Sequence, residues 1–352
     1  MKRLARIPGL KIWTLLLLAA GTFSSCNVLT EEEQDCAVYV RFKYDMNMKF
    51  ADAFQNAVNS VTLYAFDKNG VLAFQKTEEG DLLQQDGYRM RLDGISHSEK
   101  AEYDFITWAG EPDNESFSIP LLTVGKSTKE DLYCQLNRKH VSRVEDGIAV
   151  VDTDLEHLFH GQVNDLNFGR AATSNMDEVV MPLVKNTNVI RIILQHLNGE
   201  PVNVDNFEFS IVDENGLMNY DNSLLQDEVI TYRAWNMEDG WAGFDDSQVE
   251  KVEGMTQINV AIAELTTARL MANQRPNLTI TNKVKNEKVL SIPLVDYALL
   301  VKGHYNRDMD NQEYLDRQDE YALTFFLDEG NHWMNAFIII NDWRIVLQDA
   351  EL

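Results

Sequence analysis

The part of the sequence richest in side chains that could bind a metal or transfer protons runs from residue 152 to residue 160. It holds three carboxylates and two histidines: Asp152, Asp154, Glu156, His157 and His160. On a helix, His157 and His160 would share one face, and with a carboxylate they could bind a transition metal. The spacing differs from the His-Glu-x-x-His pattern of zinc proteases. A loop with a structural role is the favoured interpretation, so we expect no metal site here.

Other catalytic patterns are missing from the sequence. It contains no Gly-x-Ser-x-Gly motif, P-loop or dinucleotide-binding glycine motif. An EF-hand beginning at Asp308 fails, because Glu313 occupies the glycine position and Asp319 the position of the closing glutamate; adventitious calcium binding stays open. Trp235 and Trp241 could form a sugar-binding platform, although packing is the favoured role. The sequence thus predicts a protein that is not an enzyme, with no catalytic residue and no cofactor.

Cys26 carries the clearest chemical signal. It follows a basic start and the apolar run Ile12–Ala20, which is too short to span a bilayer and has the length of a signal-peptide core. The small residues that end in Ser24-Ser25-Cys26 resemble a bacterial lipobox, in which the cysteine is lipidated and becomes the first mature residue. We expect residues 1–25 to be a lipoprotein signal peptide and Cys26 to carry the lipid. The alternative is an ordinary signal peptide with an incidental cysteine.

Residues 26–36 form a short acidic tether in this interpretation. Glu31, Glu32, Glu33 and Asp35 cannot be buried together, so the segment is expected to stay solvated. An acidic stretch behind a lipidated cysteine also resembles the surface-export signal of Bacteroidales lipoproteins. A charged linker with no export role is the alternative.

The two remaining cysteines, Cys36 and Cys134, are a candidate disulfide in an exported protein. The bridge would close a loop of about 100 residues, nominally worth about 4–5 kcal/mol. Two cysteines are too few to establish a pairing, so free thiols remain the alternative.

The charge of the chain excludes several classes of partner. Its 352 residues include 31 basic and 56 acidic ones, a net charge of −25. Removal of the signal peptide with its four basic residues leaves 27 basic and 56 acidic residues, a net charge of −29. Such a surface repels phosphate backbones, so we expect no nucleic-acid partner and no polybasic patch that binds a membrane.

The body of the chain has the pattern of a mainly β protein. Apolar or alternating runs of strand length recur from Ala37–Tyr44 to Ala336–Ile340 and Trp343–Leu347, separated by turn signals such as Asp67-Lys68-Asn69-Gly70. Helical patterns are few and short: Phe50–Ala57, Pro293–Val301 and Gln312–Gln318. Strands do not alternate with long helices, so antiparallel sandwiches are expected. The polar stretch 165–177 predicts a boundary between domains at 37–176 and 177–352.

Several stretches, in order along the chain, resemble the FimB-type fimbrial anchor subunit family of Bacteroidales. They are Val40–Phe54, Val61–Gly70, Leu158-Phe159-His160-Gly161, Leu183–Asn188, Gln312–Tyr321 and Ile340-Asn341-Asp342-Trp343. The resemblance implies two tandem transthyretin-like antiparallel β-sandwich domains. It also implies a lipidated protein at the cell surface that holds a fimbrial stalk at the outer membrane and limits its length.

The end of the chain is the candidate contact with a stalk subunit. Its apolar alternation could add a strand to a partner or exchange with one. The residues that would form this strand-exchange segment are Ala336, Ile338, Ile340, Trp343, Ile345 and Leu347. A hairpin that completes its own domain is the alternative. A surface lipoprotein that binds glycans or host adhesion ligands is the alternative function.

Overall fold

The structure is a computed structural model that describes residues 37–96, 98, 100–141, 147–169, 176–242, 258–305, 308–335 and 337–347. These residues form 23 strands in five sheets, together with four short α-helices. The predicted mainly β architecture with largely antiparallel sheets is confirmed.

The first half of the chain contributes twelve of these strands. They are β1 (Ala37–Lys43), β2 (Ser60–Asp67), β3 (Leu72–Glu79), β4 (Met90–Leu92), β5 (Tyr103–Gly110), β6 (Phe117–Ser118), β7 (Tyr133–Leu136), β8 (Lys139–Val141), β9 (Ile148–Val151), β10 (Leu158–Leu166), β11 (Met176–Pro182) and β12 (Val184–Lys185). Helix α1 (Phe54–Ala57) lies between β1 and β2.

The second half contributes the other strands and most of the helices. The strands are β13 (Thr187–His196), β14 (Phe207–Asp213), β15 (Leu217–Asn219), β16 (Ile230–Arg233), β17 (Asn236–Ala242), β18 (Ile258–Ala268), β19 (Asn277–Asn282), β20 (Glu287–Pro293), β21 (Glu320–Leu327), β22 (Phe337–Ile340) and β23 (Trp343–Val346). The helices are α2 (Leu294–Leu299), α3 (Lys302–Tyr305) and α4 (Asn311–Arg317).

A first sandwich packs the sheet β11-β1-β4 against the sheet β12-β10-β5-β2-β3. Successive residues of a strand point to opposite faces, so Val38 and Val40 of β1 enter the core while Tyr39 between them faces outward. Val61 and Leu63 of β2 meet them from the other sheet. The alternation along both strands therefore sets this core.

The sheet that contains β2 is covered on both faces. Tyr64 and Phe66, on the face opposite Val61 and Leu63, belong to the second core. A strand buried on both sides becomes almost continuously apolar, and β2 reads Ser-Val-Thr-Leu-Tyr-Ala-Phe-Asp. This sheet thus joins the two cores.

The second sandwich packs the sheet β17-β18-β13-β21-β22-β23 against the sheet β20-β19-β14-β16-β9-β8. Ile190 and Ile192 from one sheet and Phe209 and Ile211 from the other are buried in one core. A three-stranded sheet, β15-β7-β6, closes the same core. Three strand pairs are parallel: β1 with β11, β13 with β21, and β16 with β9.

Strand pairing crosses residue 176, where the sequence predicts the domain boundary. β11 follows that residue and pairs along its whole length with β1 of the first sandwich. β8 and β9 precede it and join the second sandwich through β16. Polar composition indicated a linker, but hydrogen bonding between distant strands decides which sheet each strand joins. The division at 176 itself stays a prediction.

Candidate functional site

The terminal hairpin, β22 and β23, is the element that the sequence predicts for strand exchange. Phe337 pairs with Val346 and Ile340 with Trp343. Between the two strands, Asn341 and Asp342 have φ angles of 46° and 69°. A two-residue hairpin loop of this type needs positive φ at both positions, which asparagine and aspartate tolerate. The turn therefore fixes the register of the hairpin.

The hairpin joins the rest of its sheet through few contacts. β22 pairs with β21 only at Leu323–Ile340 and Thr324–Ile339. Asn341 adds a reciprocal clasp: its backbone N–H donates to the carbonyl of Ala322 at 3.0 Å, and the Ala322 N–H donates to its Oδ1 at 2.8 Å. In the described part of the chain β23 has β22 as its one neighbour, so its outer backbone edge is open.

The two strands of the hairpin differ in burial. Ile338 and Ile340 of β22 are completely buried, and Ile345 and Leu347 are half-buried against the same core. Trp343 and Val346 of β23 expose 40% and 67% of their surface. The hairpin therefore completes its own sheet, as the alternative interpretation holds, and still presents an apolar outer edge. Ala336 lies outside the described residues.

The junction beside this hairpin is held by a buried ion pair. Arg269 donates from Nε and Nη2 to the two carboxylate oxygens of Asp316 at 2.8 and 2.7 Å. Its Nη1 donates to the carbonyl of Asn222 at 2.9 Å, and Gln312 donates to Asp316 at 2.9 Å. A buried carboxylate needs such a set of partners to remain charged. Helix α4 thus contributes a buried ion-pair partner to the junction.

Arg317 and Lys185 extend this junction toward the first sandwich. Arg317 donates to the carbonyl of Asp45 at 2.9 Å, and its guanidinium lies 4.4 Å from the ring centroid of Phe50. Lys185 Nζ lies 2.7 Å from Asp319. These contacts connect the segment after β1 and the strand β12 with the C-terminal end of α4 and the residues that follow it. The sequence does not predict the pairing of Arg269 with Asp316, because the two residues are 47 positions apart and no local pattern connects them.

The carboxylates of the 152–160 segment serve as structural hydrogen-bond acceptors. They are engaged by Lys139 Nζ at 2.8 Å from Asp152, by the Thr266 hydroxyl at 2.7 Å from Asp154, and by the Ser116 amide at 3.2 Å from Glu156. Within the described residues, no three histidine, cysteine or carboxylate side chains converge on a common point. This geometry gives no support to the metal alternative.

His160 is buried between the two cores. Its Nε2 donates to the carbonyl of Tyr220 at 2.8 Å, and its ring lies edge-on to Trp108 with centroids 4.7 Å apart. Burial lowers the pKa of His160 to about 4, so the imidazole is neutral at pH 7. Next to it, a Cβ on Gly161 would lie 2.6 Å from the Pro182 carbonyl, and only glycine fits there. The Leu-Phe-His-Gly motif therefore has a packing role.

Of the three cysteines, Cys134 is the one that the structure describes. Cys134 of β7 is fully buried and has no disulfide partner among the described residues, and burial raises the pKa of its thiol far above the usual range. Such a thiol is not a nucleophile. Cys26 and Cys36 lie outside the described residues, so lipidation and the Cys36–Cys134 bridge stay predictions.

The candidate sugar platform is partly described. Trp235 exposes 38% of its surface, whereas the side chain of Trp241 lies outside the described residues. Asn236, beside Trp235, donates to Glu264 at 3.1 Å, and Asp239 accepts from the Val204 amide at 2.8 Å. The polar flanks that would bind sugar hydroxyls thus bond within the protein.

Comparison with known proteins identifies the family. Residues 32–349 match the family described as fimbrillin-A associated anchor proteins Mfa1 and Mfa2. The chain belongs to this family. Membership gives this anchor-family protein a role associated with fimbriae at the cell surface. None of the curated proteins compared with the chain matches it. No helix in the described ranges is long and apolar enough to cross a membrane.

Solved structures support the assignment. A Bacteroides thetaiotaomicron protein proposed to bind polysaccharides is 32% identical to this anchor-family protein, covers 89% of it and 99% of its own chain, and has a TM-score of 0.72. A proposed adhesin from the same organism is 33% identical, with 88% and 97% coverage and a TM-score of 0.73. The Porphyromonas gingivalis fimbrial anchor protein Mfa2, at 18% identity and a TM-score of 0.61 over 89% and 99%, has the same fold.

Proposed function

We propose that this protein is the lipid-anchored base of a fimbrium, which holds the stalk at the outer membrane and limits its length. The lipid on Cys26 fixes the base in the membrane, and residues 27–36 space the sandwiches from it. The open outer edge of β23 pairs with an extended segment of the stalk subunit, since an exposed sheet edge readily accepts a further strand. That edge is the observation that carries the proposal.

Removal of residues 343–352 tests the contact with the stalk. This truncation deletes β23 with the half-buried Ile345 and Leu347, but it keeps the completely buried Ile338 and Ile340 in the core. The shortened protein should stay in the outer membrane while the stalk is lost from the cells. Fimbriae that remain attached at full length would contradict strand addition at β23.

Cys26→Ala tests the membrane attachment independently. The variant should leave the outer-membrane fraction and shed or overlong fimbriae should appear. Cys134→Ala is the matched control, because this thiol is buried and outside the tether. Crosslinking on intact outer membranes, followed by purification of the protein, should recover stalk subunits with the wild type. An unchanged membrane fraction for Cys26→Ala would contradict the lipid anchor.

Glycan binding is the second candidate function, and the polysaccharide-binding role proposed for the Bacteroides thetaiotaomicron relative favours it. Trp235 is the exposed aromatic side chain on which a sugar would stack. Binding on a glycan array that disappears in Trp235→Ala, with the stalk still attached to cells, would assign this function instead.

A further inference from the structure

The loop between β6 and β7 carries two apolar side chains that the described residues leave exposed. Leu121 is completely exposed, and Val124 exposes 50% of its surface. Leu122, between them, is buried in the second core, so the loop is anchored by one apolar side chain while the others face outward. We call Leu121 and Val124, with the half-buried Pro120 beside them, the apolar tip.

Hydrogen bonds fasten this loop to the start of β3. The Gly125 amide donates to the carbonyl of Leu72 at 2.8 Å, and the Leu72 amide donates to the carbonyl of Ser127 at 2.8 Å. Within the loop, the Thr123 amide donates to Ser127 Oγ at 3.0 Å, and the Ser127 amide donates to the Thr123 carbonyl at 2.9 Å. The exposed position of Leu121 is therefore set by a loop of defined shape.

The tether enters the first sandwich at the end where β5 begins. β1 begins at Ala37, and its second residue, Val38, pairs with Leu92 at the end of β4. The chain that continues from β4 reaches Tyr103, the first residue of β5, whose hydroxyl accepts from the Ser96 amide at 3.1 Å. The start of β1 and the start of β5 thus lie at one end of this sandwich.

The loop that carries the apolar tip lies at the same end. Asp67, the last residue of β2, pairs with Tyr103. The Lys129 amide, where the loop returns toward β7, donates to the carbonyl of Gly70 in the turn after β2 at 3.0 Å. Lys129 Nζ also forms an ion pair with Asp104, the second residue of β5. The apolar tip and the tether are therefore neighbours at one end of the molecule.

The residues around the apolar tip suit a boundary between water and lipid. From Phe117 to Lys129 the sequence contains two lysines and no acidic residue, although the whole chain has 56 acidic residues. Lys126, two positions after Val124, is exposed. A lysine can extend its ammonium group to the lipid headgroups while neighbouring apolar side chains enter the hydrocarbon boundary.

We propose that the apolar tip inserts into the interface of the outer membrane and fixes the orientation of the protein on its lipid anchor. The inference rests on the proposed lipid at Cys26. The ten residues from 27 to 36 separate Cys26 from β1, and fully extended they span at most about 36 Å. Because the lipid keeps the tip within this reach of the bilayer, even the weak insertion of two side chains is populated.

A polarity-sensitive fluorophore at the apolar tip tests the insertion. Leu121→Cys is combined with Cys36→Ser in the full-length lipidated protein, where Cys134 is buried and does not react. The labelled protein is reconstituted into phosphatidylcholine vesicles with or without doxyl quenchers on the acyl chains. Emission from position 121 should shift to the blue, and it should be quenched at least about threefold more strongly than from Val284→Cys. Val284 is the control because it is largely exposed in the second sandwich, between β19 and β20.

Removal of the apolar side chains sharpens the test. The double variant Leu121→Asp with Val124→Asp keeps the backbone hydrogen bonds between the loop and Leu72. A fluorophore at Lys68→Cys, in the exposed turn beside the loop, should lose at least about half of its quenching by the acyl-chain probes in this variant. Val284→Asp is the matched control and should leave the quenching at position 68 unchanged.

Equal quenching at positions 121 and 284 would overturn the proposal. Blue-shifted emission that the acyl-chain quenchers do not reach, and that Val28→Ser with Leu29→Ser abolishes, would make the tether the occupant of the tip and also overturn it. A blue shift that requires added stalk subunits would identify a protein partner instead. Vesicle flotation separates the inference from the proposed function: a protein that floats without quenching at position 121 contradicts only the insertion, whereas one that does not float contradicts the lipid anchor as well.

Discussion

Strand β21 separates two regions that are built in opposite ways. Before its N-terminus lies the junction, where the buried carboxylate of Asp316 on α4 pairs with Arg269 and accepts a hydrogen bond from Gln312. On its outer edge, the terminal hairpin is attached through two residue pairs and the Asn341 clasp, and β23 leaves its backbone edge open. The junction is therefore suited to fix the positions of the elements that it connects, and the hairpin has an edge to which another strand could be added.

The difference follows from where each region can reach water. A charge buried without a partner is strongly destabilising, so the junction tolerates only a complete set of hydrogen bonds. Backbone N–H and C=O groups at an exposed sheet edge are hydrated, so leaving them without a neighbouring strand carries no such desolvation cost. Substitutions in the junction should thus change stability, and substitutions on β23 should change binding.

Asp316→Ala should produce the largest loss of stability. It leaves the buried Arg269 guanidinium without its carboxylate, which lowers the free energy of unfolding by about 3–5 kcal/mol. Chemical denaturation of the purified protein measures the loss. Glu264→Ala is the matched control, since it breaks the more exposed pair with Arg191 and should lower stability by about 1 kcal/mol or less. Equal losses in the two variants would refute the special role of the junction.

His160, buried between the two cores, should make the free energy of unfolding depend on pH in the acid range. The unfolded histidine binds a proton near pH 6.5, whereas burial keeps the pKa in the folded protein at about 4. The free energy of unfolding therefore decreases as the pH falls from 6.5 to 4, by about 3 kcal/mol from this residue, and its contribution is constant below that range.

The measurement compares wild type with His160→Gln across that range. Burial raises the pKa of Asp213 to about 6, so this carboxyl gives its own contribution of the opposite sign, lost as the pH rises from 3.8 to 6. Asp213 is present in both proteins, and the difference between their unfolding free energies isolates the histidine. A difference that stays constant with pH would show that His160 does not titrate in this way.

Local patterns were sufficient to predict several elements. The predicted strand Ala37–Tyr44 is observed as Ala37–Lys43, and the predicted helix Gln312–Gln318 as Asn311–Arg317. Asp310 accepts a hydrogen bond from the Glu313 amide at the start of this helix, a cap that can be recognised in the sequence. Val61 and Leu63 of β2 lie two residues apart and enter the same core, as the alternation of a strand requires.

Long-range pairing could not be predicted in the same way. β8 and β9 are short, and they lie in the second sandwich because β16, about eighty residues later, pairs with β9 in parallel. β11 follows a polar stretch that indicated a linker, yet it completes the sheet of β1. The partner of Asp316 is fixed by tertiary structure alone. The apolar hairpin was found from its alternation, but its open edge depends on the order of strands in the sheet.

Arg317→Lys should have a moderate effect on the junction. Lysine keeps the charge, but it loses the guanidinium contact with the Phe50 ring and the geometry of the bond to the Asp45 carbonyl. We expect a loss of about 1 kcal/mol in the free energy of unfolding. Arg275→Lys, at an exposed loop position, is the control and should be neutral. A neutral Arg317→Lys would mean that this arginine does not fasten the loop before α1.

Val346→Lys should change stability least and binding most. The side chain exposes 67% of its surface, so the free energy of unfolding should change by no more than about 0.5 kcal/mol. A lysine on an edge strand opposes the addition of a further apolar strand, and capture of stalk subunits by the purified protein should fall by roughly tenfold. Val284→Lys, at a residue that is also largely exposed, in the turn between β19 and β20, should leave capture unchanged. If both variants capture stalk subunits as well as the wild type does, the partner binds elsewhere and the open edge of β23 is not the contact.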